Sequence, residues 1–229
     1  MKLTKILGKV LRGLWYLPKT IYINFVALPL KQAVKLPIVI MSSCWLRGIK
    51  RKTIVINGNI HSGMIKIGAQ KSSNSGIAVN SKTRVVVRKS GKIYFDGDAT
   101  FGKGTGLCVD GGMIHFGKNF SCNVNCFIAC SSKMNFKEDV LLGWNVNIRD
   151  DDGHQLWDSD GKITNCPKEI TIGNHVWIAS FVDILKGVSI ADNNIIGYRS
   201  LVTKSVATGN NIIAGVPAKI VRENMRWEH

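Results

Sequence analysis

Acidic residues are absent from the first part of this 229-residue chain, because no aspartate or glutamate occurs in residues 1–95. The same stretch holds 18 of the 31 lysines and arginines, whereas residues 96–229 hold 13 of them and all 15 acidic residues. A run of one charge sign this long indicates an anionic partner, which is nucleic acid, an anionic lipid surface or an acidic substrate. No nucleic-acid recognition motif accompanies the charge, so nucleic acid is the partner that we do not expect.

Long apolar runs are missing as well. The longest uncharged stretch within residues 20–46 runs from Thr20 to Leu30 and has 11 residues, whereas about 20 are needed to cross a bilayer. A secretory signal peptide is not predicted, because Lys9 and Arg12 interrupt any apolar core and no small-x-small cleavage site follows. We therefore expect a cytoplasmic protein, in which residues 1–52 are a candidate for peripheral contact with the inner face of the cell membrane.

Paired metal-binding cysteines are the third absence. The six cysteines include no C-x2-C pair, which argues against a zinc site. Cys122 and Cys126 fall on inward positions of the repeat described below, where cysteine behaves as a small apolar residue. We expect no metal, and without a secretion signal we expect reduced thiols.

The N-terminus predicts an amphipathic helix over residues 2–16. Its apolar residues recur at helical spacing and are Leu3, Ile6, Leu7, Val10, Leu11, Leu14 and Trp15. The opposite face is basic and consists of Lys2, Lys5, Lys9 and Arg12. This make-up is typical of a helix that lies in the headgroup plane of a membrane, although packing on its own protein or on a sister subunit gives the same pattern. Pro18 is expected to end the helix.

Between residues 172 and 202, a large aliphatic residue recurs every six residues. The members of this series are Ile172, Ile178, Ile184, Ile190, Ile196 and Val202. A helix repeats at about 3.6 residues and a strand at about 2, so a period of six indicates a short strand followed by a corner. Three such units make one coil of a parallel β-solenoid, in which each inward residue stacks on its counterpart one coil along.

A longer form of the repeat precedes this series. Ile93-x-Phe95, Ile114-x-Phe116 and Met134-x-Phe136 are spaced by 21 and 20 residues. The six-residue step recurs within each unit, at Phe95, Phe101 and Leu107, then Phe116, Cys122 and Ile128, then Phe136, Leu142 and Ile148. Three steps of six make 18, so two or three extra residues lie at one corner of each coil. Residues 149–169 leave the period as an external loop, after which the coil resumes at Ile170 and closes near Val206.

These patterns predict an all-β protein organised in three parts. Residues 1–52 form the basic, helical lead-in, which contacts a membrane or the oligomer. Residues 53–216 form the parallel β-helix with its external loop at 149–169. Residues 217–229 form a short C-terminal cap, expected as a turn and a short helix, because an open solenoid end exposes its core.

Four motifs carry a resemblance to a known family. They are Asp150-Asp151-Asp152-Gly153-His154, Ile172-Gly173-Asn174-His175-Val176-Trp177-Ile178-Ala179, Leu185-Lys186-Gly187-Val188-Ser189-Ile190 and Gly215-Val216-Pro217-Ala218-Lys219. Over residues 54–222 the sequence resembles the left-handed β-helix, or hexapeptide-repeat, acyltransferases, and among them the branch that O-acetylates bacterial surface and capsular polysaccharides. The resemblance implies a left-handed β-helix, a homotrimer with sites shared between subunits, acetyl-CoA as acyl donor and a sugar hydroxyl as acceptor.

His154 is the candidate general base for this chemistry. Acyl transfer to a hydroxyl needs a base beside the hydroxyl proton, and an imidazole titrates close to neutral pH. No Ser-His-Asp or Cys-His signal indicates a covalent relay, so direct attack on the thioester is the simplest route. Asp152 or Asp150 could orient the imidazole, as could a backbone carbonyl. The resemblance implies that Trp177 lines the substrate or thioester channel, and it leaves the role of His175 open.

The resemblance also implies that acyl-CoA lies along the outside of the later coils. The positions that match CoA-contacting positions are Ser180, Tyr198, Thr203, Lys204, Lys219 and Arg222. The chemistry of the three cations agrees, because the 3′-phosphate and pyrophosphate of the nucleotide attract fixed positive charges. Two residues depart from the family pattern, since Ala179 replaces the usual glycine and Tyr198 replaces a small residue.

Two other functions stay open at this point. One is N-acetylation of an amino sugar on a nucleotide carrier, by the same fold. The other is a non-catalytic β-helix that binds membranes or acidic glycans. Thioester consumption that depends on His154 distinguishes an enzyme from a scaffold, and the acceptor distinguishes the two enzymes.

Overall fold

The computed structural model describes residues 2–69 and 81–228, with side chains described from Leu14 onward. Within these ranges the chain passes through three sheets in turn, so that each coil has three sides. The nine-stranded sheet contains, in spatial order, β1 (Ile38–Ile40), β4 (Ile65–Ala69), β7 (Ala99–Gly102), β10 (Phe120–Cys122), β13 (Leu141–Leu142), β16 (Trp177–Ile178), β19 (Ile195–Ile196), β21 (Ile212–Gly215) and β22 (Ala218–Arg222).

The other two sides of the coil are a seven-stranded and a six-stranded sheet. The seven-stranded sheet contains β2 (Cys44–Arg47), β5 (Thr83–Arg88), β8 (Gly106–Asp110), β11 (Phe127–Cys130), β14 (Asn147–Arg149), β17 (Asp183–Ile184) and β20 (Leu201–Val202). The six-stranded sheet contains β3 (Ile54–Ile56), β6 (Lys92–Phe95), β9 (Met113–Phe116), β12 (Lys133–Phe136), β15 (Ile170–Ile172) and β18 (Ser189–Ile190). We name the corners by the sheets that they join, as the nine–seven, seven–six and six–nine corners.

The inward residues of the repeat stack in columns along the solenoid. Phe95, Phe116 and Phe136 occupy one register of the six-stranded sheet, and their ring centroids are 5.3 Å apart at each step. Ile172 and Ile190 continue the same column. All five side chains are buried, and burial of each contributes about 1.5–3 kcal/mol. The parallel β-helix predicted from the six-residue period is confirmed.

Two corners of the coil require a left-handed backbone residue in successive coils. Five such non-glycine residues lie at the six–nine corner, namely Asn119, Asp139, His175, Asn193 and Asn210. Four more lie at the nine–seven corner, namely Asn125, Asn145, Phe181 and Arg199. Asparagine and aspartate adopt this conformation at little cost, whereas bulky side chains such as Phe181 rarely do. At the nine–seven corner, Phe181 and Arg199 therefore adopt a backbone conformation that residues of their size disfavour.

The N-terminal helix covers the open end of the solenoid. Helix α1 (Lys2–Ala27) is continuous through Pro18, so the prediction that Pro18 ends the helix is wrong. Contacts after the proline explain the difference. The Asn24 side chain donates to the Ile38 carbonyl at 2.7 Å and accepts from the Ile38 amide at 3.1 Å, and Thr20 Oγ1 accepts from the Ile40 amide at 3.0 Å. The edge strand β1 thus gains partners and holds the second half of α1 in place.

A second short helix, α2 (Leu30–Ala33), follows α1 directly. No helix in residues 2–69 or 81–228 is long and apolar enough to cross a membrane. The apolar and basic faces predicted from the first residues of the chain fall largely on residues 2–13, whose side chains lie outside the described part.

The first coil begins before the boundary predicted at 53, and the C-terminal cap differs in form from the prediction. The first coil begins at Ile38, because β1 and β2 pair with β4 and β5. These strands precede the regular spacing and therefore gave no repeat signal. The C-terminal cap is a hairpin and not a helix, since β22 returns antiparallel along β21 and pairs Ile220 with Ile213. Gly215, at a φ of 108°, has the backbone conformation that this reversal needs.

Candidate active site

Residues 151–169 form a folded arm at the seven–six corner, between β14 and β15. Trp157 bridges Ile163 in antiparallel register. The turn between them is closed by Asp158, whose Oδ1 accepts from the amides of Asp160 at 3.0 Å and Lys162 at 2.9 Å. The side chains of Leu156 and Trp157 are 59% and 60% exposed. The arm therefore exposes two large apolar side chains just before its turn.

Asn165 connects the two sides of the arm at its base. Its Nδ2 donates to the Asp152 carboxylate at 2.9 Å and to the His154 carbonyl at 2.7 Å, and its Oδ1 accepts from the Leu156 amide at 2.7 Å. Lys186, from the next coil, donates to the Asp152 carboxylate and to the Asn165 carbonyl. Asn165 is buried, where water competes little for these bonds. The backbone on both sides of His154 is thereby fixed.

The His154 side chain extends from this frame into solvent. It is exposed, and its imidazole makes no hydrogen bond or ion pair with the described part of the chain. Asp152 belongs to the hydrogen-bond network of Asn165 but does not bond to the imidazole ring. The hydrogen bond from Lys186, followed by that from Asn165, lowers the pKa of Asp152. The structure thus links Asp152 to His154 through the Asn165 amide and the backbone.

Asp150 anchors the arm to the preceding coil. Its carboxylate is fully buried and accepts from the amides of Ser131 at 2.7 Å and Ser132 at 2.8 Å. Its carbonyl accepts from the Lys168 amide at 2.9 Å, at the far end of the arm. Burial raises the pKa of Asp150, and the two amide hydrogen bonds oppose that rise. Asp150 therefore holds the arm and does not face the His154 imidazole.

Trp177 lies on a different face of the solenoid from His154. It belongs to β16 in the nine-stranded sheet, and its ring centroid is 6.1 Å from that of Trp227. Its side chain is exposed. Because the arm leaves from the seven–six corner, the seven-stranded sheet separates Trp177 and His154 within one chain.

The nine–seven corner carries an exposed aromatic and cationic surface, of which the sequence indicated Ser180 and Tyr198 but not Trp144, Phe181 or Arg199. Trp144, Ser180 and Tyr198 occupy equivalent positions of successive coils, and Ser180 Oγ accepts from the Trp144 amide at 2.9 Å. The Tyr198 ring meets the Phe181 ring edge-on, with their centroids 5.5 Å apart. The Arg199 guanidinium lies 5.5 Å from the Phe181 centroid and 5.7 Å from the Tyr198 centroid. Phe181 and Arg199 have φ of 60° and 56°, and strained positions cluster at functional sites. The 18-residue spacing from Ser180 to Tyr198 was a usable signal.

The six positions expected to contact the acyl donor fall at three places. Ser180 and Tyr198 lie at the nine–seven corner, whereas Thr203 and Lys204 follow β20 at the seven–six corner, where the arm also lies. The third place is β22, at the C-terminal end of the nine-stranded sheet, with Lys219 and Arg222. A single chain does not bring the three places together.

His175 holds the C-terminal segment on the solenoid. Its ring stacks on Trp227 at 4.2 Å and 9°, and the Trp227 indole donates to the His175 carbonyl at 3.0 Å. One ring nitrogen bonds the Asp139 carboxylate, and the other lies 3.1 Å from the Trp227 carbonyl. The Asp139 hydrogen bond raises the pKa of His175. Both nitrogens face acceptors, so the protonated imidazole satisfies both.

Sequence comparison finds relatives over the later coils. The model of the bacterial transferase hexapeptide family (six repeats) matches residues 169–204. Galactoside O-acetyltransferase of Escherichia coli (strain K12) is 39% identical over 122 residues, which cover 52% of this chain and 59% of that protein. The protein WbbJ of the same strain, named as a lipopolysaccharide biosynthesis O-acetyl transferase, is 31% identical over 156 residues, which cover 62% of this chain and 79% of that protein. The chain thus spans less than two thirds of the first relative and more than two thirds of the second.

Structural comparison supports the same fold. The crystal structure of the polySia specific acetyltransferase NeuO superposes with a TM-score of 0.51 and 24% sequence identity, over 84% of this chain and 79% of that chain. At this identity the likeness bears on the fold alone. The fold is an all-β, left-handed parallel β-helix with an N-terminal helix.

Proposed function

The chain belongs to the hexapeptide-repeat transferase family, and we propose that it is an acetyl-CoA-dependent O-acetyltransferase with His154 as general base. The acceptor in this proposal is a sugar hydroxyl of a bacterial surface or capsular polysaccharide, or of its precursor. The names of the relatives support an O-linked sugar product. The observation that carries the proposal is the exposed imidazole of His154, which stands on a backbone held by Asn165 and has its ring nitrogens available.

The geometry of the arm suits His154 to act as a general base. An imidazole without a competing partner accepts the proton of an approaching hydroxyl at one ring nitrogen, which makes the sugar oxygen a better nucleophile. A fixed backbone reduces the entropy that is lost when the acceptor is oriented. His154 is on the outside of the solenoid, so a polymer can reach it without entering a closed pocket. Acetyl-CoA, when bound, supplies the acetyl thioester that the oxygen attacks.

Three exposed cations fit the anionic end of the donor. Lys204, Lys219 and Arg222 take part in no ion pair within the described ranges. Cations without a carboxylate partner are free to bind the phosphates of a nucleotide. Lys219 and Arg222 lie on one strand, β22, so they present two donors to one phosphate-bearing group.

We further propose a homotrimer whose active sites lie between subunits. The candidates divide into two groups, because His154 is at the seven–six corner while Trp177 precedes the nine–seven corner. A rotation that sets the seven–six corner of one subunit against the nine–seven corner of the next brings both groups to one site. Such a heterologous contact repeats around an axis and closes into a ring.

The arm supports this assembly with apolar surface. Leu156 and Trp157, just before its turn, are exposed, and Phe181 is an exposed aromatic residue at the nine–seven corner. Exposed apolar residues of this size are enriched where proteins contact one another. These apolar residues of one arm, set against the nine–seven corner of the next subunit, would cover both surfaces.

The experiment that tests the proposed activity identifies the chemical bond in the product. The purified protein is incubated with acetyl-CoA and a panel of surface glycans, lipid-linked units and nucleotide-linked amino sugars, and free CoA thiol is measured. An acetyl group that mild alkali removes from the glycan supports the O-acetyltransferase. An alkali-stable acetyl on an amino sugar would replace it with the N-acetyltransferase. Glycan binding with no thiol release across the panel would instead favour the non-catalytic β-helix.

A further inference from the structure

Helix α1 has two apolar faces, of which the solenoid covers one. Ile23 and Ala27 are fully buried against the first coil. The opposite face is exposed, and we call its large apolar residues, together with those of the adjoining α2 and Val34, the N-terminal platform. The platform consists of Leu14, Trp15, Ile21, Tyr22, Phe25, Leu30 and Val34. Monomeric proteins rarely leave an apolar surface of this size in water, so the platform is expected to have a partner.

We propose that the N-terminal platform docks on an anionic membrane surface. Five cations lie at the same end of the solenoid, namely Lys31, Lys35, Lys50, Arg51 and Lys52, and all are exposed. The Lys52 amide donates to the Ala27 carbonyl at 3.1 Å, which sets the cationic turn beside the end of α1. No ion pair in the described part of the chain involves any of the five, because the first acidic residue of the sequence is Asp96.

The composition of the platform favours lipid over an acidic glycan. Trp15 is 79% exposed and Tyr22 is 53% exposed, and these side chains combine an apolar body with a polar tip, which suits the boundary between headgroups and acyl chains. An acidic glycan would use the cations but would leave a wide aliphatic surface in water. A lipid leaflet satisfies both components, since apolar residues enter the boundary while lysines and arginines remain at the headgroups.

The position of the platform leaves it free for such a partner. It lies beyond the first coil, at the end of the solenoid, whereas the corners that would meet in the proposed trimer run along the solenoid. Three subunits in contact along their corners would therefore place three platforms at one end. Simultaneous binding of linked sites strengthens attachment without any new contact. The membrane proposal does not depend on the enzymatic activity or on His154.

The test is cosedimentation of the full chain with vesicles of phosphatidylcholine and phosphatidylglycerol at a ratio of 3:1, compared with phosphatidylcholine alone. The apolar variant is Ile21→Ser/Phe25→Ser, and the charge variant is Lys50→Gln/Arg51→Gln/Lys52→Gln. The matched control removes three cations from the body of the solenoid, as Lys92→Gln/Lys118→Gln/Lys137→Gln. Each cation near an anionic leaflet is worth about fivefold in partitioning, so the charge variant should bind about 100-fold more weakly than wild type.

The expected pattern separates the two components of binding. Wild type and the control bind the anionic vesicles, both platform variants lose most of that binding, and high salt weakens wild type without abolishing its binding, because salt screens charges but not apolar burial. Equal binding to neutral and anionic vesicles overturns the proposal, as does an apolar variant that binds like wild type. Sedimentation equilibrium is run in parallel, and a lower mass of the apolar variant would assign the platform to a subunit contact. If that variant fails to fold in thermal melting, the charge variant alone decides.

Discussion

The side-chain amide of Asn165 donates a hydrogen bond of 2.7 Å to the backbone carbonyl of His154, across 11 residues of chain. The same amide nitrogen binds the Asp152 carboxylate, and Lys186 completes the frame from the next coil. A base on a loop is useful only if its position is reproducible, since catalytic groups must be held close to the reactive geometry. The interruption of the repeat at 149–169 therefore provides an exposed histidine on a fixed support.

Replacement of the proposed base, His154, is the first prediction. His154→Ala should lower the rate of CoA thiol release by about 10²–10⁴-fold, because that is the usual contribution of a general base. The melting temperature should stay near that of wild type, since the exposed side chain makes no hydrogen bond or ion pair with the described part of the chain. His115→Ala is the matched control, because His115 pairs with Asp96 on the six-stranded sheet, away from the arm. Retention of most of the activity in His154→Ala would falsify the assignment of the base.

Asn165 is predicted to be a positioning residue. Asn165→Ala removes three hydrogen bonds at the base of the arm, so kcat should fall while the KM for acetyl-CoA changes little. A double-mutant cycle with His154→Ala tests the mechanism, because a residue that acts through the base has no further effect once the base is gone. Equal losses from Asn165→Ala in both backgrounds would mean that it acts on the fold alone. Asn165→Asp, which keeps only the acceptor for Leu156, should be no better than the alanine variant.

The regular coils could be predicted from the sequence because each six-residue unit carries its own signal for a strand and a corner. An inward aliphatic residue every six positions, as at Ile172 and Ile178, is required wherever a strand and a corner alternate. The contacts around the site are not local. His175 contacts Trp227 across 52 residues, and Asn165 reaches its hydrogen-bond partners only when the arm folds back. The prediction for Pro18 was wrong because the free-energy cost of a proline inside a helix is offset by tertiary contacts of the residues after it. No local sequence pattern indicates those contacts.

Subunit complementation tests the shared site. His154→Ala and Trp177→Ala should each be inactive alone, and the two proteins should regain activity when they are coexpressed. In random trimers a site that takes His154 from one subunit and Trp177 from the next is intact in about one case in four, so about a quarter of wild-type activity is expected. Coexpression of two His154→Ala chains with different tags is the control. No recovery in verified mixed trimers would place both residues in one chain's site.

Charge reversal on β22 tests the donor-binding residues. Lys219→Glu/Arg222→Glu should raise the KM for acetyl-CoA and leave the acceptor KM unchanged, because the phosphates are on the donor. Loss of a charge-assisted hydrogen bond costs about 1.5–3 kcal/mol, and the exposure of both residues places the effect toward the lower end. Lys92→Glu/Lys137→Glu, on the six-stranded side of the solenoid, serves as a control for net charge. An increase in the acceptor KM would instead assign β22 to the glycan.

The contact of His175 with Asp139 and Trp227, which we call the C-terminal clasp, provides the last prediction through its pH dependence. Hydrogen bonding to Asp139 raises the pKa of His175 above its usual value. A group whose pKa is higher in the folded state adds stability that is complete below the unfolded-state pKa, about 6.5, and is lost as the pH rises through the folded-state pKa. The other charged groups beside this contact are Lys118 and Glu138, which pair with each other next to Asp139, and Arg226 and Glu228, which flank Trp227 in the sequence.

The measurement compares wild type with Asp139→Asn, which removes the carboxylate but keeps the left-handed corner that asparagine tolerates. Melting temperatures are recorded between pH 5 and pH 9. The difference between the two proteins should be largest below about pH 6.5 and should shrink above the folded-state pKa of His175, where the neutral ring can donate to only one of its two acceptors. A difference that stays constant with pH would mean that Asp139 stabilises the corner without holding the histidine in its charged form.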